Sequence, residues 1–448
     1  MRPSLDDLRA VAERAVSLAP ADEAEALVIG VSSALTRFAN NRIHQNVAEA
    51  DTIVTVRALV GTRTGVSMTN RLDTASLERC ACSAAEAASH APEDPGFPGL
   101  PGPQPVPDVE RSVLATRAFD EERRAAAARS IIGESRERGL VAAGTVAMRD
   151  AGVAIANSRG VDVAASTAEI CATILSTGPD GASGWASAVL ADAAAFDPVA
   201  LGAGAADTAA RSAGRHALDP GVYTVVLAPE AVAELLAFLG YLGFGAKAYA
   251  EGTSFLADAV GTQLTGESIS VYDDALEPGM VGLPFDCEGQ PKRRVPLITS
   301  GIACSPVTDS YYAHLLALPN TGHALPAPNA HGPLPLNLVM AEGTSPVQEM
   351  IASVERGVYV SRFHYVNVED PMRAILTGMT RDGTFTIESG RLGAPLRNLR
   401  FTQDILEALR HVGAVGAGRR LVASEDGAAT LAPALLLERW TFTGQTGE

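Results

Sequence analysis

The sequence predicts an α+β protein of two domains, each with an antiparallel or mixed β-sheet and packed helices. Three observations lead there. The chain has 448 residues, more than one hydrophobic core usually organises, so two cores are the default expectation. Its hydrophobic fraction is 47% against 19% charged residues, the balance of an ordinary folded protein. Helical apolar periodicity also alternates along the chain with extended segments bounded by polar turns.

Ser4 followed by Asp7 marks a helix start, because a hydroxyl accepts from an orphan amide and an acidic side chain favours the positive helix end. Leu8, Val11, Ala12, Ala15 and Val16 continue it at helical spacing. From Glu25 the pattern becomes extended over residues 26–38 and 52–60, with turns at Asn40-Asn41 and Gly61-Thr62. A second helix is expected over Thr74–His90, where Leu77, Ala81, Ala84, Ala85 and Ala88 share a face, and Pro92 ends it. Residues 92–107 are so rich in Pro and Gly that they read as a surface loop. A helix over 120–138 follows, then strands over 140–148, 153–156 and 161–175, the last two joined by Ser158-Arg159-Gly160. This N-terminal domain, residues 1–215, reads as helices laid on an antiparallel sheet. An alanine-rich helix over about 198–215 gives way to Pro220-Gly221 and a strand over 223–227, which opens a β-rich C-terminal domain, residues 216–448. There a helix opens at Pro229, Gly- and Pro-dense loops fill 282–335, and strands alternate with turns over 358–401.

The formal net charge of -17 would repel a polyanion, so no nucleic-acid partner is expected. Lys247 and Lys292 are the lysines, and the basic run Lys292-Arg293-Arg294 reads as a solvated turn. The five cysteines, Cys80, Cys82, Cys171, Cys287 and Cys304, are odd in number and show no C-x-x-C spacing, which fits a reducing compartment. No signal-peptide pattern opens the chain and no long apolar run suggests a membrane span, so a cytoplasmic protein is expected.

Zinc hydrolysis by a helix motif needs two imidazoles on one helical face and a neighbouring glutamate to polarise the metal-bound water. None of the eight histidines is followed by Glu, and none is spaced to meet another on adjacent turns. His323 and His331 flank Pro326 and Pro328 and read as loop histidines, with metal ligation as the alternative. No G-x-S-x-G elbow or P-loop is present. Asp273-Asp274 and the pair Glu230 and Glu234 read as solvated acids, with acid-base work as the alternative. Cys80 and Cys82 read as packing residues.

Three segments together resemble the TldD/PmbA family, also called the modulator of DNA gyrase or peptidase U62 family. The first runs from Arg37 through Asn41, Arg42 and His44-Gln45 to Val56-Arg57, Gly61-Thr62-Arg63-Thr64-Gly65 and Thr69-Asn70-Arg71-Leu72. The second is Pro284-Phe285-Asp286-Cys287-Glu288-Gly289, similar to a turn of the PmbA/TldE branch, followed by Thr321-Gly322-His323. The third, residues 377–391, carries Gly378, Gly383, Glu388 and Gly390 and resembles the family's closing hairpin. Gly383 and Gly390 are expected at tight turns that need positive φ, with Phe385 and Ile387 on one face of the strand between them.

The resemblance implies two α+β domains and the following roles. Asn41, Arg42, His44, Arg57, Asp286, Glu288, Gly289, His323, Gly378, Gly383, Glu388 and Gly390 are signature residues, structural or lining a peptide chamber. The family's catalytic subunit carries His-Glu-x-x-x-His on the helix that here begins Pro229-Glu230-Ala231-Val232-Ala233-Glu234, and a cysteine near the C-terminus, where this chain reads Ala432-Pro433-Ala434-Leu435. No catalytic or metal residue carries over. The implied role is therefore a TldE-like accessory subunit that binds no cofactor itself, pairs with a TldD-type metallopeptidase subunit carrying the zinc, and helps select a peptide substrate. A non-enzymatic, self-associating scaffold on the same fold is the alternative, with a homodimer when alone.

Overall fold

The computed structural model describes residues 2–109, 111–423 and 429–445. Strands β1 (Glu23–Ala39), β2 (Arg42–Val60), β3 (Arg63–Thr69), β4 (Val141–Asn157), β5 (Asp162–Thr177) and β6 (Ser183–Leu190) form one antiparallel sheet in the order β3-β2-β1-β4-β5-β6. Asn40 and Asn41 adopt φ 51° and 60°, the mirror-image turn that matches the twist of a two-residue hairpin. β4 is continuous where two shorter strands are expected. Asp150 interrupts the apolar pattern, yet it stays in register opposite Ser32 and Ala168, with Arg2 3.0 Å from its carboxylate. β6 lies where the sequence predicts no strand. Its small residues carry no apolar alternation, and they let a helix sit directly on the backbone: a Cβ on Gly184 would come 2.2 Å from Ala205 O.

Helices Leu5–Ser17, Thr74–His90, Glu121–Glu137 and Pro198–Arg211 cover one face of this sheet. The first begins with a reciprocal cap between Ser4 and Asp7, which satisfies two orphan amides at once. The opposite face receives Phe285 among Leu27, Val153, Ile155 and Val161, and Tyr272, Met280 and Val339 against Val189. The N-terminal sheet is therefore sandwiched between its own helices and the later part of the chain.

That later part builds two further sheets. β7 (Gly221–Leu227), β8 (Val271–Asp273), β9 (Val295–Thr299), β10 (Ile302–Ala303), β11 (Asn337–Met340), β12 (Arg356–Asp370), β13 (Ile375–Glu388), β14 (Arg391–Pro395), β15 (Leu399–Asp404), β16 (Val412–Val415), β17 (Arg420–Ala423), β18 (Ala429–Ala432) and β19 (Leu435–Gln445) supply them. One is mixed, in the order β10-β9-β8-β11-β18-β17, with β11 and β18 parallel. The other runs β12-β7-β19-β15-β13, and β12 pairs back with β13, so these strands close a ring. Closure removes the exposed edges that an open sheet would leave. Phe363, Phe401 and Trp440 pack in its core with ring centroids 4.7 to 5.2 Å apart. The α+β reading with antiparallel and mixed sheets holds. Gly383 is not at a turn, however. With φ 128° beside Asp382 at 56°, it kinks β13 where the pairing with β12 slips between Val360 and Arg362. The turn belongs to Ser389 and Gly390, with φ 45° and 75°.

Candidate functional site

The N-terminal sheet and the C-terminal loops meet in a buried cluster of charge. In β1 and β2, Glu25 and Arg57 are directly opposite in register, and Arg57 Nη2 lies 2.9 Å from Glu25 Oε1. Both Nη atoms also donate to Glu288 Oε1, each at 3.1 Å. Glu288 Oε2 accepts from the backbone N–H of Ser310 at 3.2 Å. One guanidinium thus bridges two carboxylates, one on the neighbouring strand and one on a turn 231 residues further along the chain.

The turn that delivers Glu288 is shaped by Asp286. Its Oδ1 accepts the N–H groups of Glu288 and Gln290, and its Oδ2 that of Ala324, all at 2.9 Å. Gly289 follows at φ 71°, where a Cβ would come 2.5 Å from Val161 Cγ1, so only glycine allows the turn to press on the first sheet. A second network stands behind it. His323 Nε2 donates to Asp273 Oδ1 at 2.9 Å, and Nδ1 lies 2.9 Å from Thr321 Oγ1. Asp273 Oδ2 accepts from Asn337 N at 2.7 Å, and Asn337 Oδ1 accepts from Lys292 Nζ at 3.2 Å.

Burial sets the proton affinities. It raises Glu25 to about 7 against the opposing pull of Arg57, and Asp286 to about 7, with Glu288 adding repulsion and three amides opposing. Asp309, which caps helix Ser310–Leu316 by accepting from Tyr312 N, is raised by burial to about 6. Burial alone would lower Arg57, but the two glutamates hold its guanidinium charged. Burial lowers His323 against the pull of Asp273, while Asp273, whose burial is outweighed by His323 and Lys292, is held low. Glu25 Oε2 and Arg57 Nε have no hydrogen-bond partner. The cluster holds more carboxyl groups than cations, so it retains protons near neutral pH.

Of the signature residues, Arg57, Asp286, Glu288, Gly289 and His323 are brought together here. Asn41 serves elsewhere: its side chain accepts from Ala142 N at 2.7 Å and donates to Leu140 O at 2.9 Å, pinning the hairpin tip to β4. Arg42 and His44 are exposed at that tip and line an open groove of about 500 Å³ with Ala39 and Asn40. Gly378 makes room for Phe401, Gly390 turns beside Ala352, and Glu388 is exposed and accepts from Thr386 Oγ1 at 3.0 Å. A second junction lies at the β13 kink, where Asp382 accepts from Ser183 Oγ and from Arg362 Nε at 2.8 Å. Sequence reasoning missed Glu25, Asp309, Arg362 and Asp382. It also took Asp273 for a solvated acid, whereas Asp273 is fully buried on His323. Lys292 likewise turns inward, and Arg294 lies 3.7 Å over the Tyr272 ring.

The helix that the resemblance sets against the catalytic subunit's zinc-binding helix, Pro229–Gly243, carries no histidine or cysteine and packs Ala231, Val232, Leu235, Leu236 and Leu239 into the core. Its Glu230 is held by Arg420. Residues 432–437 are all buried and carry only apolar side chains. A hydrolytic zinc needs three converging N, S or O donors and an open position, and this alkyl surface does not fit one. Among the described residues no group of three His, Cys, Asp or Glu side chains is placed to hold a metal ion.

Comparison with known proteins places these features. The profile of the PmbA/TldA metallopeptidase C-terminal domain matches residues 220–444, and that of PmbA/TldA metallopeptidase domain 1 matches residues 24–88. A curated metalloprotease TldD homolog of Buchnera aphidicola subsp. Acyrthosiphon pisum is 25% identical over 169 residues, covering 37% of this chain and 35% of the relative. Metalloprotease PmbA of Escherichia coli O157:H7 is 26% identical over 195 residues, covering 43% and 40%. The chain thus spans between a third and two fifths of these curated relatives' length. The crystal structure of TldE from Thermococcus kodakarensis superposes with a TM-score of 0.90 at 18% identity, over 98% of this chain and all of that one, a likeness of fold.

Proposed function

The chain belongs to the TldD/PmbA family of metallopeptidase-related proteins, and on that premise we propose that it is a TldE-like accessory subunit. It would pair with a TldD-type subunit that carries the zinc, and help that partner cleave peptides or unfolded segments in the cytoplasm. The observation that carries the reading is the helix Pro229–Gly243. The resemblance sets it against the helix on which the family's catalytic subunit keeps its ligands, and its inward side chains are alkyl. Likeness of fold to TldE along nearly the whole chain supports the same assignment.

The test is reconstitution. The chain is mixed with a TldD-type homologue carrying His-Glu-x-x-x-His, and cleavage of an unfolded peptide is followed with each chain alone and with both. Activity is expected only with both, and zinc is expected to travel with the partner. One equivalent of zinc on this chain alone, with chelator-sensitive cleavage, overturns the reading. A stable homodimer that ignores the TldD-type chain would favour the scaffold alternative.

A further inference from the structure

The N-terminal sheet has one long unpaired edge. β2 spans 19 residues, but β3 pairs only with Val54 to Val60, and among the described residues no strand pairs with the outer edge of residues 42–53. Within 42–51 every residue is exposed except Ile43 and Val47, which are half-buried. About 12 residues of strand present about 40 Å of free backbone donors and acceptors, and such an edge is a template for another strand.

The side chains along it are matched to their own reverse. Pairing with β1 sets Arg42, Gln45, Val47, Glu49 and Asp51 beside Ala39, Arg37, Leu35, Ser33 and Val31. Those β1 partners alternate, so all five β2 side chains stand on one face. The slip in register between Arg37 and Phe38 leaves His44 as the extra residue, which brings Arg42 onto that face.

We propose that two copies of this chain pair antiparallel along residues 42–53 of β2, about a two-fold axis at Val47. The two six-stranded sheets become one continuous sheet. Val47 then meets its symmetry mate, Gln45 meets Glu49, and Arg42 meets Asp51 of the second copy, twice over. Arg42, Glu49 and Asp51 enter no ion pair within the chain among the described residues. The ends fit as well. Where β3 stops, an open notch of about 420 Å³ is lined by Asp51, Ile53, Met68, Thr69, Asn70 and Arg71. In this register it receives the hairpin tip of the other copy. Ile53 and Met68, 44% and 58% exposed, gain a cover there. The bulge and the charges work against indiscriminate edge pairing and favour the one register in which the charges match. The pairing concerns the chain by itself and does not rest on the accessory-subunit reading.

Sedimentation velocity over a concentration series tests it, with the full chain, R42D and D51R. The wild type is expected as a dimer. Each variant sets like charges against each other at two symmetric places, and its dimer Kd should rise by about tenfold or more. An equimolar mixture of the two variants should recover the dimer, because each introduced charge then faces its opposite, and that recovery also shows that both variants are folded. A monomeric wild type, variants that dimerise like wild type, or a mixture that stays monomeric each overturn the proposal. So does an edge that R42D and D51R show to be needed only for binding a TldD-type chain.

Discussion

Among the described residues Arg57 is the single cation in contact with both Glu25 and Glu288, so replacing it with methionine, which keeps an unbranched apolar stem, isolates the charge. The variant loses three short contacts to carboxylates, at 2.9, 3.1 and 3.1 Å. It also leaves two acids, 5% and 8% exposed, without a counter-charge. Removing one partner of a buried ion pair costs about 3–5 kcal/mol, chiefly from the charge left behind. Glu25 is already raised to about 7 and escapes part of that penalty by taking a proton. The lower end, about 3 kcal/mol, therefore applies near neutral pH and the full cost at higher pH. Urea unfolding followed by circular dichroism at about pH 8 reads it directly. The double variant R57M/E25Q should recover part of the loss, since the second substitution removes one stranded charge. A cost below about 1 kcal/mol for R57M at that pH would mean that the cluster contributes no net electrostatic fastening, and the reasoning fails.

Three further outcomes are expected. Glu25 has a folded-state value of about 7 against an ordinary glutamate value of 4.5; an acid raised on folding contributes stability that is present below the unfolded value and is lost as pH rises through the folded one. E25Q, which cannot ionise, should therefore gain stability relative to wild type between about pH 5 and pH 8, and an unchanged gap in urea midpoints would contradict this. H323A strips the buried Asp273 carboxylate of its side-chain donor and should cost about 3 kcal/mol in the same assay, with H323Q costing less because an amide still donates. In G65A the new Cβ would lie 2.2 Å from both Ala84 O and Ala88 N; helix Thr74–His90 must lift from β3, at about 2 kcal/mol or more, seen as a lower thermal midpoint.

Local rules made much of the fold legible. Two asparagines that tolerate positive φ, flanked by alternating apolar residues, announced the β1–β2 hairpin, and a polar cap, an apolar stripe and Pro92 delimited helix Thr74–His90. What stayed hidden depends on partners distant in sequence. β6 is a strand because β5 pairs with it and helix Pro198–Arg211 backs it, and neither neighbour is written in its small residues. The closed ring needs β7 to lie between β12 and β19, a parallel and an antiparallel pairing that no local pattern encodes.

The candidate site divides the same way. Arg57 and Glu288 each stand in recognisable segments, but nothing local says that one meets the other. Glu25 was within reach: counting back along the hairpin from Asn40-Asn41 brings residue 25 close to Arg57, and the one-residue slip at Arg37 sets them directly opposite. Asp273 was misread for a different reason. An acidic pair in an acidic chain suggests a solvated face, yet neighbouring residues of a strand point to opposite sides. When Val271 and Tyr272 beside it are buried, one carboxylate of the pair turns inward and must find a donor. His323 is that donor, so an imidazole that sequence alone leaves open to metal ligation has both ring nitrogens committed, to Asp273 and to Thr321.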